Sequence, residues 1–249
     1  MFLAINIGNS KINLAVFKEN KIMAAYSIDS LKNKDSDFYK KEFVEMLSGI
    51  EITECAIISV VNGLDAIVKI ACDEAFGISS VVLNYNFAKD LKIKSEHPES
   101  AGMDRVANVY AVLEYPLPAI IVDIGTAVTL DVVNEKKEFL GGVIMPGINM
   151  SLKALAEGTS KLPFIEPQKS PFAIGNTTEL CILSGVIRGT ASATDGLIKQ
   201  CAEELGGCKT IILTGGQAEL ISEYMKCSYN AVNKELTLFG IKSIYDSHK

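Results

Sequence analysis

The sequence predicts an α/β protein built as two related domains. Three observations carry that prediction. Apolar runs of strand length alternate with segments of helical period along the chain. One glycine-containing hairpin pattern occurs twice. The length, 249 residues, suits one large domain or two of about 120 residues each. With 48% hydrophobic and 22% charged residues, the composition is that of an ordinary globular protein, which excludes disordered and collagen-like architectures. A net charge of −6 disfavours a nucleic-acid or membrane-surface binder, because such binding rests on clustered cations.

The first hairpin is predicted over residues 3–22 and its echo over 120–139. At a fixed offset of 117, Asn6 falls on Asp123, Gly8 on Gly125, Asn9 on Thr126 and Val16 on Val133. Each segment is an apolar run, a glycine turn with small polar residues, a second apolar run and a charged turn. Between the echoes, residues 56–61 read as a buried strand, 64–75 as a helix and 80–84 as a short strand. Val106, Val109, Tyr110 and Leu113 recur at helical spacing over 105–114. The Tyr-Pro-Leu-Pro run at 115–118 is a tight connection rather than a flexible tether. It divides the chain into domains 1–115 and 116–249.

In the second half, the glycines of 140–143 and of 146–147 read as a strand crossing and a turn into a helix at 150–157. Residues 178–201 form a long helical stretch that carries Gly185, Gly189 and Gly196. A strand at 210–213 ends at Gly215-Gly216, and a helix follows over 217–225.

Cys55, Cys72, Cys181, Cys201, Cys208 and Cys227 form no C-x-x-C pair, and several lie in apolar runs. They read as small buried hydrophobes in a reducing compartment. With only His97 and His248 available, a Cys/His zinc site is not expected. The N-terminus lacks a basic, then apolar, leader pattern. No uncharged apolar run reaches the roughly 18 residues of a membrane span. A cytoplasmic setting is expected, with no membrane or nucleic-acid partner.

Four short motifs could carry chemistry. In the first hairpin tip, Gly8 lets backbone amides approach an anion, while Asn6, Asn9, Ser10 and Lys11 add polar groups. A plain hairpin turn is the alternative. The second tip, Asp123, Gly125 and Thr126, has the same shape plus a carboxylate, and the match between the tips favours function. Gly102, Met103, Asp104 and Arg105 precede a helix. Asp104 reads either as a general base beside an anion-binding Arg105 or as a helix cap or first-turn acid. Thr214-Gly215-Gly216-Gln217 is either a tight strand-to-helix turn or a close approach to a base or phosphate. It fits neither G-x-G-x-x-G nor the P-loop pattern.

Together, in order and spacing over nearly the whole chain, these segments resemble the type III pantothenate kinases. That family belongs to the superfamily of acetate and sugar kinases, heat-shock chaperones and actin. The resemblance implies two actin-like (ribonuclease H-like) domains with a cleft between them. It implies an enzyme that phosphorylates pantothenate from ATP to 4′-phosphopantothenate, the first step of coenzyme A synthesis. Mg²⁺ would accompany ATP, a monovalent cation (K⁺ or NH₄⁺) would be required, and the enzyme would be a homodimer. Asp104 would be the catalytic base, and Gly102, Met103, Arg105 and Thr178 would bind pantothenate. Asn6, Gly8, Asn9, Ser10, Lys11, Thr126, Gly215 and Gly216 would bind ATP, and Asp123 would hold the monovalent cation.

The chain departs from the family pattern at several positions. Asn6 stands where the family has Asp, which removes a negative charge that helps hold hydrated Mg²⁺. Ser95 stands where the family usually has a Tyr that contacts pantothenate; His97 and Met103 replace its Asn and Ala. These departures motivate two other readings. One is a catalytically degenerate homologue acting as a binding or regulatory protein of the transcription-accessory type. The other is a related kinase for another small hydroxy acid.

Overall fold

The computed structural model describes residues 1–249. The chain forms two compact units, Met1–Leu113 with Glu235–Lys249, and Glu114–Lys234.

The first unit opens with β1 (Phe2–Ile7), β2 (Lys11–Lys18) and β3 (Lys21–Asp29), an antiparallel meander. Helix α1 (Ser36–Met46) follows, capped by Asp35, which accepts the Phe38 N–H at 3.0 Å. Then come β4 (Glu54–Ser59), α2 (Leu64–Phe76), β5 (Val81–Val82) and α3 (Met103–Val112). The sheet order is β3-β2-β1-β4-β5, with β4 parallel to β1. Leu3, Ile5 and Ile7 alternate toward one face, as a period of two requires. There they pack with Leu14, with Tyr39 and Phe43 of α1, and with Val68 and Cys72 of α2.

The second unit repeats the plan with β6 (Ala119–Ile124), β7 (Ala127–Val133) and β8 (Phe139–Pro146). These lead into α4 (Ile148–Glu157), α5 (Thr178–Leu183) and α6 (Gly189–Glu204). The unit continues through β9 (Thr210–Thr214), α7 (Ala218–Ser222) and β10 (Ala231–Val232). Its sheet order is β10-β9-β6-β7-β8, the same order as in the first unit, with β9 parallel to β6. Ile120, Val122 and Ile124 share a core with Ile148, Leu152, Ile187 and Ile198.

The last helix, α8 (Leu236–Asp246), corrects the expected second domain 116–249. It packs on α3 and β1 of the first unit. Phe239 meets the Phe17 ring edge-on at 5.4 Å, and Tyr245 lies 4.9 Å from the Phe2 ring. A side chain at Gly240 would overlap the Ala107 carbonyl of α3, so glycine sets the depth of this helix crossing. Nearby, Thr237 Oγ1 donates to Asn108 Oδ1 at 2.7 Å in a buried hydrogen bond.

The echo is real in three dimensions, but its register changes at the tip. In the first hairpin Ile7 pairs with Ile12; in the second, Ile124 pairs with Val128, one residue sooner. The offset is therefore 117 before each tip and 116 after it, so Val16 corresponds to Val132 and not to Val133. The predicted helix 178–201 is interrupted: a π-helical turn, Ser184–Arg188, joins α5 to α6. The predicted helix 217–225 shrinks to α7, and the strand 80–84 to β5. Cys55 and Cys72 are buried as expected, whereas Cys181 is exposed. No helix is long and apolar enough to cross a membrane.

Candidate active site

In the first unit, the candidate residues gather where the parallel strands β1 and β4 end. In open α/β sheets, ligands bind outside the carboxyl ends of the strands. At the tip, the Gly8 N–H donates to the Lys11 carbonyl at 2.9 Å, which closes the turn and leaves Asn9 and Ser10 exposed. Asn6 pairs with Asn13 on β2, and Asn13 with Ser27 on β3. These three polar side chains therefore form a row on one face. Ser27 Oγ donates to Asn13 Oδ1 at 2.8 Å. The Asn6 Oδ1 atom is buried and has no hydrogen-bond partner. Lys11 lies one row further out on the same face and pairs with Asp29 Oδ1 at 2.7 Å.

The start of α3 joins this edge through Val60. Its N–H donates to the Ile7 carbonyl at 3.0 Å, and its Cγ1 would lie 3.9 Å from a Cβ on Gly102. Gly102 occupies the N-cap position without a side-chain cap, so Asp104 is a first-turn acid and not the cap. A Cβ at 102 would lie 2.6 Å from Asp104 Oδ1. Asp104 also accepts the Arg105 N–H at 2.8 Å. Burial pushes the Asp104 carboxyl above the usual carboxylate range, and the N–H and charge of Arg105 offset part of that rise. Met103 is buried in the first turn of the helix. Ser95 and His97 are exposed upstream, and Ser95 Oγ accepts the His97 N–H at 3.3 Å.

In the second unit, Asp123 sits at the matching place on β6. It pairs in register with Thr129 of β7 and Thr214 of β9, which puts all three on one face. The Thr129 and Thr214 hydroxyls are buried and without a hydrogen-bond partner. Gly215 has φ +92°, and any side chain there would overlap Asp123 Oδ1. The Gln217 N–H donates to the Ile124 carbonyl at 3.0 Å, locking this turn against the second tip. Thr126 is exposed at that tip, as is Gly216 beside it. The Thr126 carbonyl faces Gly147, where a Cβ would overlap it.

Thr178 lies elsewhere in this unit, in an open groove of about 650 Å³ with Ser151, Leu155, Cys181, Val186 and Thr190. Within each unit, then, the structure groups Asn6 to Lys11 with Gly102 to Arg105, and Asp123 and Thr126 with Gly215 and Gly216. Thr178 stands apart. The sequence reading extended the first tip to Asn13 but missed Ser27, Asp29 and Thr129, which become visible only once strand register is known.

The chain matches the type III pantothenate kinase family over residues 2–200. It belongs to that family. A type III pantothenate kinase from Persephonella marina is 34% identical over 254 aligned residues, spanning 100% of this chain and 99% of the relative. Among solved structures, one from Campylobacter jejuni, described as that of a Baf family transcriptional activator, superposes with a TM-score of 0.64. It is 22% identical and covers 99% of this chain and 98% of that one. A polyphosphate/ATP-glucomannokinase from Arthrobacter superposes at 0.54, with 11% identity and 99% coverage of both chains. At such identities these structures speak for the fold, which is the actin-like two-domain α/β fold.

Proposed function

We propose that this pantothenate kinase homologue transfers the γ-phosphoryl group of ATP to the hydroxyl of pantothenate. One observation carries the reading: Asp104, a half-buried aspartate whose carboxyl is pushed above the usual range by desolvation, lies at the strand edge that also bears the glycine tip. Phosphoryl transfer asks little covalent chemistry of a protein; positioning and charge neutralisation supply most of the rate. Asp104 accepts the proton of the attacking hydroxyl, and its raised pKa brings it closer to the operating pH, where a base is most effective. Arg105 receives the substrate carboxylate, with Gly102 and Met103 shaping the site around it. The Asn9 and Ser10 amides, with the Lys11 ammonium, hold phosphate oxygens, and Gly8 shapes the turn that presents them. Thr126, Gly215 and Gly216 contribute the second nucleotide-facing turn.

The donors present fit hard cations, which take oxygen ligands. Asp123 with the Thr129 and Thr214 hydroxyls offers three such oxygens on one face, suited to a monovalent ion such as K⁺ or NH₄⁺. Asn6 Oδ1 offers a neutral oxygen toward the nucleotide's Mg²⁺. When bound, a divalent ion neutralises phosphate charge. Asn6 keeps the shape of an aspartate without its charge, so its hold on that ion is weaker.

A homodimer is part of the reading. Met150, Phe164, Phe172 and Ile174 are exposed and lie, in sequence or by hydrogen bonds, next to groove residues. A second copy covering them would bring apolar surface out of water. Thr178 lies in the same groove, so that copy would also abut this substrate-binding candidate. Asn6 favours one second reading, a protein that binds nucleotide and pantothenate without turnover. The deciding experiment measures ADP release from the purified chain with ATP, pantothenate, Mg²⁺ and K⁺. Pantothenate-dependent turnover supports the kinase. Folded protein that binds both ligands without turnover supports the second reading.

A further inference from the structure

The two echoed tips distribute charge in opposite ways. On the inner row of the first unit stand Asn6, Asn13 and Ser27; the matching row of the second holds Asp123, Thr129 and Ile144. On the outer row, Lys11 and Asp29 pair across β2 and β3, where the second unit has Ala127 and Pro146. The first tip thus has a neutral amide at its centre and an ion pair at its rim. The second has an acid at its centre and an uncharged rim. Lys11 Nζ and Asp29 Oδ1 are 2.7 Å apart, with side chains 55% and 64% exposed. A solvated pair of this kind is weak, so Lys11 exchanges partners at little cost.

We propose that Lys11 and Asp29 form a counter-ion switch for the phosphates of a nucleoside triphosphate. This rests on the kinase reading, in which the first tip receives ATP. Without nucleotide, Lys11 rests on Asp29. When the polyphosphate arrives at the tip amides, Lys11 leaves the carboxylate for a phosphate oxygen. Nucleotide binding thus loses the stabilisation of the Lys11–Asp29 pair, and that loss lowers the affinity. Asp29 is therefore a positioning residue for Lys11 and a brake on nucleotide affinity. The brake acts most strongly on metal-free ATP, whose unmasked phosphates draw Lys11 fully off Asp29.

The test is calorimetry of the full chain with ATP, in EDTA and in Mg²⁺. For metal-free ATP, Asp29→Asn should tighten binding by about two- to fivefold, the range of an exposed ion pair. Lys11→Ala should weaken it, and Lys11→Ala/Asp29→Asn should match Lys11→Ala, because Asp29 acts through Lys11. In Mg²⁺ the Asp29→Asn gain should shrink. Unchanged or weaker binding in Asp29→Asn overturns the switch while leaving the kinase reading intact. So does a gain that persists in the double variant, since it marks a general charge effect. If the folded wild-type chain gives no ATP binding in either buffer, the kinase reading falls, and the switch with it.

Discussion

Asp123 and Gly215 touch across the carboxyl ends of β6 and β9, and Asp123 Oδ1 occupies the space in which a side chain at 215 would begin. Glycine is required twice over, because φ is +92° at the same position. Gly215→Ala should cost about 3 kcal/mol or more, from strain and overlap together. A urea midpoint equal to that of the wild type would contradict this geometry.

Two helix glycines should respond to alanine with opposite sign. At Gly196 of α6 a Cβ meets open space, so alanine gains up to about 1 kcal/mol of helix propensity. At Gly240 the methyl group runs into the Ala107 carbonyl. Overpacking of about 1–3 kcal/mol then outweighs the propensity gain. Urea unfolding of the two variants side by side checks the pair. Stabilisation by Gly240→Ala would mean that α8 does not press on α3 as described.

Asp104 links stability to pH. Burial raises its folded pKa above the unfolded value. From the ordinary aspartate range up to that raised value the folded state binds more protons, so stability falls as pH rises through the window. Asp104→Asn removes the effect. The variant should be more stable than wild type at neutral pH, and the two should converge in acid, where Asp104 is neutral in both states. Its pantothenate-dependent turnover should fall by about 10²–10⁴-fold, the usual worth of a positioned base. A variant less stable than wild type at neutral pH would overturn the assignment of the pKa shift to burial.

Asn6→Asp restores a carboxylate beside the first tip. Nucleotide binding should then reach its midpoint at lower Mg²⁺ concentration, because a charged oxygen holds the ion better than an amide. An unchanged Mg²⁺ titration would show that the Asn6 oxygen plays no part in holding the ion.

Thiol labelling reports on the homodimer. Cys181 is exposed in the groove beside Thr178, while Cys55 and Cys72 are buried. Burial and the neighbouring Asp195 carboxylate push the Cys227 thiol up to about 12, so its reactive thiolate is scarce. Cys181 should therefore label first at neutral pH. Its labelling should slow at high protein concentration and recover on dilution if a second copy covers the groove. A rate independent of concentration, in a chain that sediments as a dimer, would place the dimer contact elsewhere.

The hairpins, the β4–α2 unit and both glycine tips were legible in the sequence because each has a strong local signal: apolar alternation, or glycine beside small polar residues. Helix α1 was not, since only Tyr39 and Phe43 of its eleven residues are buried and its polar face reads as surface. Helix α8 was missed for the opposite reason. Its buried residues, Leu236, Thr237, Leu238, Gly240, Ile241 and Ile244, form a broad band against α3 and β1, and Thr237 and Gly240 interrupt the apolar period. At the site, Asn6, Asp104 and Asp123 were visible as residue types at motif spacings. Thr129 and Asp29 acquire meaning only from the strands they pair with. A fixed sequence offset cannot supply that meaning, because the two tips differ in length.

The return of α8 to the first unit has a consequence for biosynthesis. Topologically, the second unit is an unbroken insertion between Leu113 and Glu235. A ribosome reading this message releases all of the inserted unit before the helix that covers Phe2 and Phe17 exists. The inserted unit, contiguous in sequence, can complete its core during translation. Strands β1 and β2 must wait for α8, which is made after the whole insertion, and until then their aromatic face lacks its cover.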